Sequence, residues 1–330
     1  MNEFKLSICL PVYNQTQELK RLLDSIAPQM TPEIEIIIRD DSTNDETKVL
    51  VDSFSKNIPI KFFHRAKEGV DKALLFLLEQ AKGEFVWWIG DDDVSPDAIK
   101  KVLGVINREK EINFIWANYW IFNVKELSID MQKDGFFKDR DELLEKAVVG
   151  LGFISACIFR RSAALIGLEE SKKYINSEFF SLYIILSSIA QPGKSYYLRG
   201  PIVICYPAPI DEIRLKVVKK GGEIKNAAFE VFGVSFSEIL KKFEGPFSHG
   251  AIRRTIKKSF GQTWRGMLVA WVGGWDTPKG KRLRMLKYFW TYPECWIALF
   301  FFCLPLSVNK ILFIVYKVFF SNRRWVFGKK

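Results

Sequence analysis

The stretch GEFVWWIGDDDV, residues 83–94, limits what this chain can fold into. Phe85 to Ile89 are a continuous run of aromatic and β-branched residues, the pattern of a central strand covered on both faces. Three carboxylates, Asp91, Asp92 and Asp93, follow directly at its C-terminal end. Open α/β sheets bind ligands outside the carboxyl ends of their strands, so a metal ion and a phosphorylated ligand are expected there. Adjacent acids repel one another and raise their pKa values, whereas a hard divalent cation neutralises them and bridges to phosphate oxygens. The other reading is an acidic turn that caps the next helix, because Ser95-Pro96-Asp97 supplies an N-cap and a first-turn proline.

Upstream, strand and helix patterns alternate. Residues 6–12 are β-rich, and Thr16 to Ile26 place Leu19, Leu22, Leu23 and Ile26 at helical spacing. A second strand over 34–38 runs into Arg39-Asp40-Asp41-Ser42-Thr43-Asn44-Asp45, a helix is predicted over 45–54, and a third strand over 58–64. A third helix over 72–81 precedes the strand at 85–89. Strands separated by helices imply right-handed parallel crossovers, hence an α/β class with a doubly wound, mostly parallel sheet. Neither a G-x-G-x-x-G nor a Walker A sequence occurs, so no dinucleotide fold or P-loop is supported.

Polar residues follow each strand: Pro11, Tyr13 and Asn14 after the first, Asp40 and Asp41 after the second, the acid triplet after the fourth. Tyr13 offers an aromatic face to a base, and Asp41 can accept a hydrogen bond from its imide or amide edge. The same residue types also make turns and helix caps.

In order and spacing, "LSICLPVYN", "EIIIRDDSTNDET" and "GEFVWWIGDDDV" resemble the inverting family-two glycosyltransferases with the GT-A nucleotide-sugar-binding fold, over roughly residues 5–205. The resemblance implies nucleotide contacts from Pro11, Tyr13 and Asp41, and puts the acid triplet on the family's D-x-D motif. Counting from Gly83-Glu84, the usual first acid aligns with Gly90. Asp91 then inherits a nucleotide role and Asp92, with Asp93, the contact to Mg²⁺ or Mn²⁺. Of the family's segment before this strand only Gly69 and Ala73 remain, with Lys72 nearby as a phosphate contact or, alternatively, a solvated helix-face lysine. Residues 1–115 would form the nucleotide-sugar half and 116–210 the acceptor half. Within the latter, 112–124 read as a strand, 125–146 as a polar surface excursion, and "KSYYLRGPIVICYP" as the closing strand. The helix expected over 175–189 resembles the one that carries the family's base. Glu178 is its only acid, and Phe179 stands where an Asp is usual. An inverting transfer needs such a carboxylate to deprotonate the acceptor hydroxyl. The implied partners are a nucleotide-sugar donor and a lipid-linked or polysaccharide acceptor, as in bacterial O-antigen or capsule assembly. A non-catalytic nucleotide-sugar-binding protein is the alternative.

The last third differs in composition. The net charge of +11 comes from 49 Lys and Arg against 38 Asp and Glu, and the excess is concentrated late in the chain. Over 211–295 basic residues alternate with Trp264, Trp271, Trp275 and Trp290, the pattern of helices at a membrane interface. "WIALFFFCLPL" and "ILFIVYKVFF", within 296–330, are two apolar runs broken near Pro305, each shorter than the ~20 residues that span a bilayer. A re-entrant or in-plane pair keeps both flanking basic clusters on one side. Acidic lipid is therefore the expected anionic partner rather than nucleic acid. Five scattered cysteines without a C-x-x-C pair argue against disulfides and zinc. With no leader pattern after Met1, the cytoplasmic face of the inner membrane is the expected location.

Overall fold

The computed structural model describes residues 4–56, 58–121, 129, 131–177, 179–206, 229–272 and 281–312. Contacts divide the chain into two units, 1–207 with 243–251, and 208–242 with 252–330.

The first unit is built on one nine-stranded mixed sheet. Its first half follows the expected alternation: β1 (Phe4–Val12), α1 (Thr16–Ile26), β2 (Ile34–Asp40), α2 (Glu46–Phe54), β3 (Ile60–His64), α3 (Val70–Gln80) and β4 (Gly83–Trp88). Then come β5 (Asp93–Val94), α4 (Ala98–Arg108), β6 (Ile112–Ile121), β7 (Gly135–Phe136), α5 (Arg140–Ala147), β8 (Cys157–Arg160), α6 (Arg161–Leu165), α7 (Leu168–Ser171), α8 (Phe180–Ala190) and β9 (Lys194–Cys205). The strand order is β3-β2-β1-β4-β8-β6-β9-β5, with β7 also paired to β9. β1 to β4 are mutually parallel where they pair, and so are β6 and β9. β8 runs against both β4 and β6, so β6 and β9 share the direction of β4. The C-terminal ends of β1, β2, β3, β4, β6 and β9 therefore form one edge.

Burial explains the sheet order. Every residue of β2 is buried, and in β4 only Glu84 is partly exposed. Ile34, Ile36 and Ile38 pack with α1 and α4 residues such as Leu22 and Val102 in one core. The opposite face carries Glu35, Ile37 and Arg39, as the period of two requires. β1 and β4 approach closely at Gly83, where a Cβ would stand 2.6 Å from both the amide nitrogen and the hydroxyl of Ser7.

Two expectations need correction. Residues 125–146 are not simply a surface excursion: Phe137, Leu143 and Leu144 are buried, and the Asp139 carboxylate caps α5 by accepting from the Glu142 N–H at 2.8 Å. The helix predicted over 175–189 begins only at Phe180, because Asn176 adopts φ +68°.

The second unit contains α9 (Phe236–Lys241), most of α10 (His249–Val272), α11 (Lys281–Phe289), α12 (Pro293–Cys303) and α13 (Leu306–Leu312). Phe260 of α10 stacks on Phe289 of α11, centroids 4.1 Å apart, and Trp264 stacks on Phe301 at 6.0 Å. Trp264 is thus turned inward, and its indole is a packing group rather than an interfacial one. Trp290, Trp296, Ile297 and Phe300 remain exposed, whereas Cys295, Ala298 and Phe302 are buried. α12 and α13 bend by 118°, at the break marked by Pro305, where the missing N–H stops a helix. Among the described residues no single helix is long and apolar enough to cross a membrane. Trp275 and 313–330 lie outside the described residues.

Candidate active site

The parallel strands deliver two acidic clusters to the same sheet edge. The first follows β2. Asp40 is fully buried; its Oδ1 accepts from the Ser42 N–H at 3.0 Å and its Oδ2 lies 3.1 Å from His64 Nδ1. Asp41 is 5% exposed. Its Oδ1 accepts from Arg39 Nε at 2.8 Å, and its Oδ2 from the Arg39 fork and the Glu68 N–H, both at 3.4 Å. The Asp41 N–H donates to Val12 O at 2.9 Å, tying this corner to β1. Asn14, at φ +53°, donates its N–H to Ser42 Oγ and accepts from the Thr43 N–H, which orders the turn after β1. Tyr13 is exposed on that turn with Lys67 Nζ 3.5 Å from its ring centroid. Gly69 enters α3 at φ +97°, a conformation open chiefly to glycine. Lys72, one turn on, donates to Glu68 Oε1 at 3.1 Å.

The second cluster follows β4. The three acids of the triplet have distinct surroundings. Asp91 is exposed and accepts from Gln15 Nε2 at 3.2 Å. Pro11, Gln15, Glu18, Gly90 and Asp91 line one cleft, so the turn after β1 borders the acids. Asp92 is 3% exposed. Burial is the largest influence on its carboxyl and pushes it up to about 6; the Ser155 hydroxyl pulls the other way, the Asp91 charge adds to the rise, and Cys205 and the Tyr206 backbone lower it. Asp93 pairs with Ile204 across β5 and β9, and its Oδ1 accepts from Arg21 Nε at 2.7 Å. Arg21 also donates to Asp91 O at 2.6 Å and sits 3.9 Å over the Tyr206 ring.

Several of these neighbours escape sequence reasoning. Ser155 holds the loop from below: its Oγ accepts from the Gly90 N–H at 3.2 Å and its carbonyl from Trp87 Nε1 at 2.8 Å. It lies between Ile154 and Ala156 with no motif of its own, and only the antiparallel return of β8 brings it there. Arg21 reads as a solvated helix lysine-like position. Arg39 carries a usable signal, a lone cation closing an apolar strand before two acids.

Glu178 lies outside the described residues. Its neighbours are informative: Phe179 and Phe180 are buried, and a Cβ on Gly69 would stand 3.9 Å from Asn176 Oδ1. The chain entering α8 therefore passes beside the α3 entrance.

As a metal centre the donor set is sparse. Among the described residues no three His, Cys, Asp or Glu side chains converge on one point, and Asp93 is engaged by Arg21. Asp91 and Asp92 still fit a cation such as Mg²⁺, which is commonly held by one or two carboxylates together with substrate phosphates and water. The buried Asp92 carboxylate, resisting ionisation where it stands, is the group such a charge would relieve.

The sequence profile described as Glycosyl transferase family 2 matches residues 7–165. The GalNAc(5)-diNAcBac-PP-undecaprenol beta-1,3-glucosyltransferase of Campylobacter jejuni is 28% identical over 202 residues, 59% of this chain and 62% of that one. The abequosyltransferase RfbV of Salmonella typhimurium is 24% identical over 230 residues, 61% of this chain and 66% of that one. The chain thus spans slightly under two thirds of either relative. The crystal structure of S. aureus TarS 1-349 in complex with UDP-GlcNAc superposes with a TM-score of 0.53 at 16% identity, covering 98% of this chain and 94% of that one. At that identity the likeness is one of fold, a mostly parallel curled sheet with flanking helices. Residues 7–165, which hold both acidic clusters, are the part of the chain that matches glycosyl transferase family 2, and the sheet that carries them has the GT-A fold.

Proposed function

We propose that this chain is an inverting, metal-dependent glycosyltransferase that moves a hexosyl or deoxyhexosyl group from a nucleotide sugar to a lipid-linked or polysaccharide acceptor in O-antigen or capsule assembly. The observation that carries this is the sharing of one sheet edge by a buried carboxylate suited to a base edge, Asp41, and by the adjacent acids Asp91 and Asp92. The names of the relatives, one of them a PP-undecaprenol glucosyltransferase, support the acceptor class.

Asp41 accepts an N–H of the base, while Pro11 and Tyr13 bound it, the exposed Tyr13 ring offering a face to stack on. The Gly69 turn lets the backbone approach the diphosphate, and Lys72 contacts it on leaving Glu68. Asp92, with Asp91, would hold Mg²⁺ or Mn²⁺, and Asp93 would join them only on giving up Arg21. When bound, that ion neutralises charge on the departing diphosphate. Glu178 takes the proton of the acceptor hydroxyl as its oxygen attacks the anomeric carbon. The bond from that carbon to the diphosphate breaks on the opposite face, its electron pair leaves with the nucleotide, and the anomeric configuration inverts.

The exposed stripe of Trp296, Ile297 and Phe300, close in sequence to Lys281, Arg282, Arg284 and Lys287, is the part of the chain suited to lie in an anionic bilayer surface on the cytoplasmic side. Incubation with a panel of nucleotide sugars, Mg²⁺ or Mn²⁺ and a membrane extract containing lipid-linked glycans is expected to release one nucleoside diphosphate. Release from none of them would overturn the proposal.

A further inference from the structure

Arg39 is the most deeply buried guanidinium among the described residues, 2% exposed, and it lies near the end of β2 on the face that also carries Glu35 and Ile37. A buried cation is retained at a strand end only when its partners compensate its lost hydration. All three of its nitrogens are used, and together they reach two segments, Asp41 and the Glu68–Lys72 turn. Nε donates to Asp41 Oδ1 at 2.8 Å, one terminal nitrogen to Glu68 Oε2 at 2.9 Å, and the other to the Lys72 carbonyl at 2.9 Å. Its plane also faces the Phe76 ring of α3, with 5.4 Å from the guanidinium carbon to the centroid.

Those segments are the ones assigned to the nucleotide: Asp41 for the base, and the Glu68–Lys72 turn, with Gly69, for the diphosphate. From this geometry we infer that Arg39 is a positioning residue for donor recognition, and the inference rests on the nucleotide-sugar reading. Two bonds from one planar fork fix the rotation of the Asp41 carboxylate and keep it an acceptor. The lone pair left on Oδ1 then meets a base in a single orientation. The third bond holds the α3 entrance at a set distance from Asp41, so the span between the base and diphosphate sites is set by one side chain. A lysine has the charge but not the fork, and cannot make the three bonds at once.

The test is titration of the full chain with uridine, guanosine, cytidine and adenosine diphosphates in the presence of Mg²⁺, with inorganic pyrophosphate as the base-free control. Wild type should prefer one base. Arg39→Lys should bind the preferred nucleotide at least tenfold more weakly and show a narrowed preference, with pyrophosphate affinity within twofold of wild type. Arg39→Met combined with Asp41→Asn leaves no unpaired buried charge and guards against misfolding of the single variant; it should lose the base preference no further than Asp41→Asn alone. Wild-type affinity and base preference in Arg39→Lys, or a preserved preference in the double variant, would overturn the inference while the nucleotide-sugar reading stood. If wild type bound pyrophosphate but none of the four nucleotides, or bound nothing, the nucleotide-sugar reading itself would fall, and this inference with it.

Discussion

Asp92 is where burial and chemistry oppose each other. Its carboxyl is pushed from 3.8 to about 6, chiefly by burial. The folded state therefore binds this proton more tightly than the unfolded chain, so stability falls as pH rises from about 4 to about 6 and stays reduced above that. The loss amounts to about 3 kcal/mol at one pKa unit per 1.36 kcal/mol. Asp92→Asn removes the ionisation. In metal-free buffer it should unfold at higher urea than wild type at pH 8, with the advantage shrinking toward pH 4.5. A gap independent of pH would contradict the assignment. The same substitution, or Asp92→Ala, should abolish transfer. For Glu178→Gln the expected result is a chemical rate lower by ~10² to 10⁴ with donor affinity kept, as for loss of a general base; normal turnover would move the base elsewhere. At this scale the sequence was partly legible. Asp41 and Asp92 stand out because charge at the end of an apolar strand is conspicuous. Ser155, Cys205 and Tyr206 do not, since they reach Asp92 only through the pairing of β8 with β4 and of β9 with β5.

Elements with strong periodicity were legible nearly to the residue. α1 occupies Thr16–Ile26 because Leu19, Leu22, Leu23 and Ile26 fill one buried face, and β4 follows its apolar run. Position within the sheet was not legible. The antiparallel insertion of β8 between β4 and β6 depends on long-range pairing that no local pattern encodes. The delayed start of α8 reflects a left-handed residue, Asn176, inside an apparently helical stretch. Trp264 shows the limit of composition: beside Arg265 it looks interfacial, yet Phe301 covers it. One element-scale prediction concerns the β1–β4 contact. Gly83→Ala would drive a methyl group into the backbone of Ser7, 2.6 Å away. Its cost should be about 1–3 kcal/mol, the usual range for overpacking a tight interior, read as a lower urea midpoint. An unchanged midpoint would show that the strands separate there freely.

For the molecule as a whole, the proposed function assigns donor chemistry to the GT-A sheet and membrane attachment to the basic helical unit. On that proposal the exposed Trp296, Ile297 and Phe300 would give affinity that salt does not screen, whereas each Lys or Arg near an anionic leaflet would add roughly 1 kcal/mol that salt removes. The wild-type chain should therefore stay with membranes through a high-salt wash. The variant with Trp296→Ser, Ile297→Ser and Phe300→Ser should be released by it, with nucleotide binding intact. Release of both, or of neither, would count against α12 as the apolar anchor. The most direct test of the nucleotide-sugar site is a crystal structure with the preferred nucleoside diphosphate and Mn²⁺, the ion located by its anomalous scattering. The base should lie against Tyr13 with a ring N–H or amino group on Asp41, and the Mn²⁺ peak should fall between the diphosphate and Asp92. A nucleotide bound away from the C-terminal edge of β1, β2 and β4, or a Mn²⁺ peak remote from Asp91 and Asp92, would contradict it.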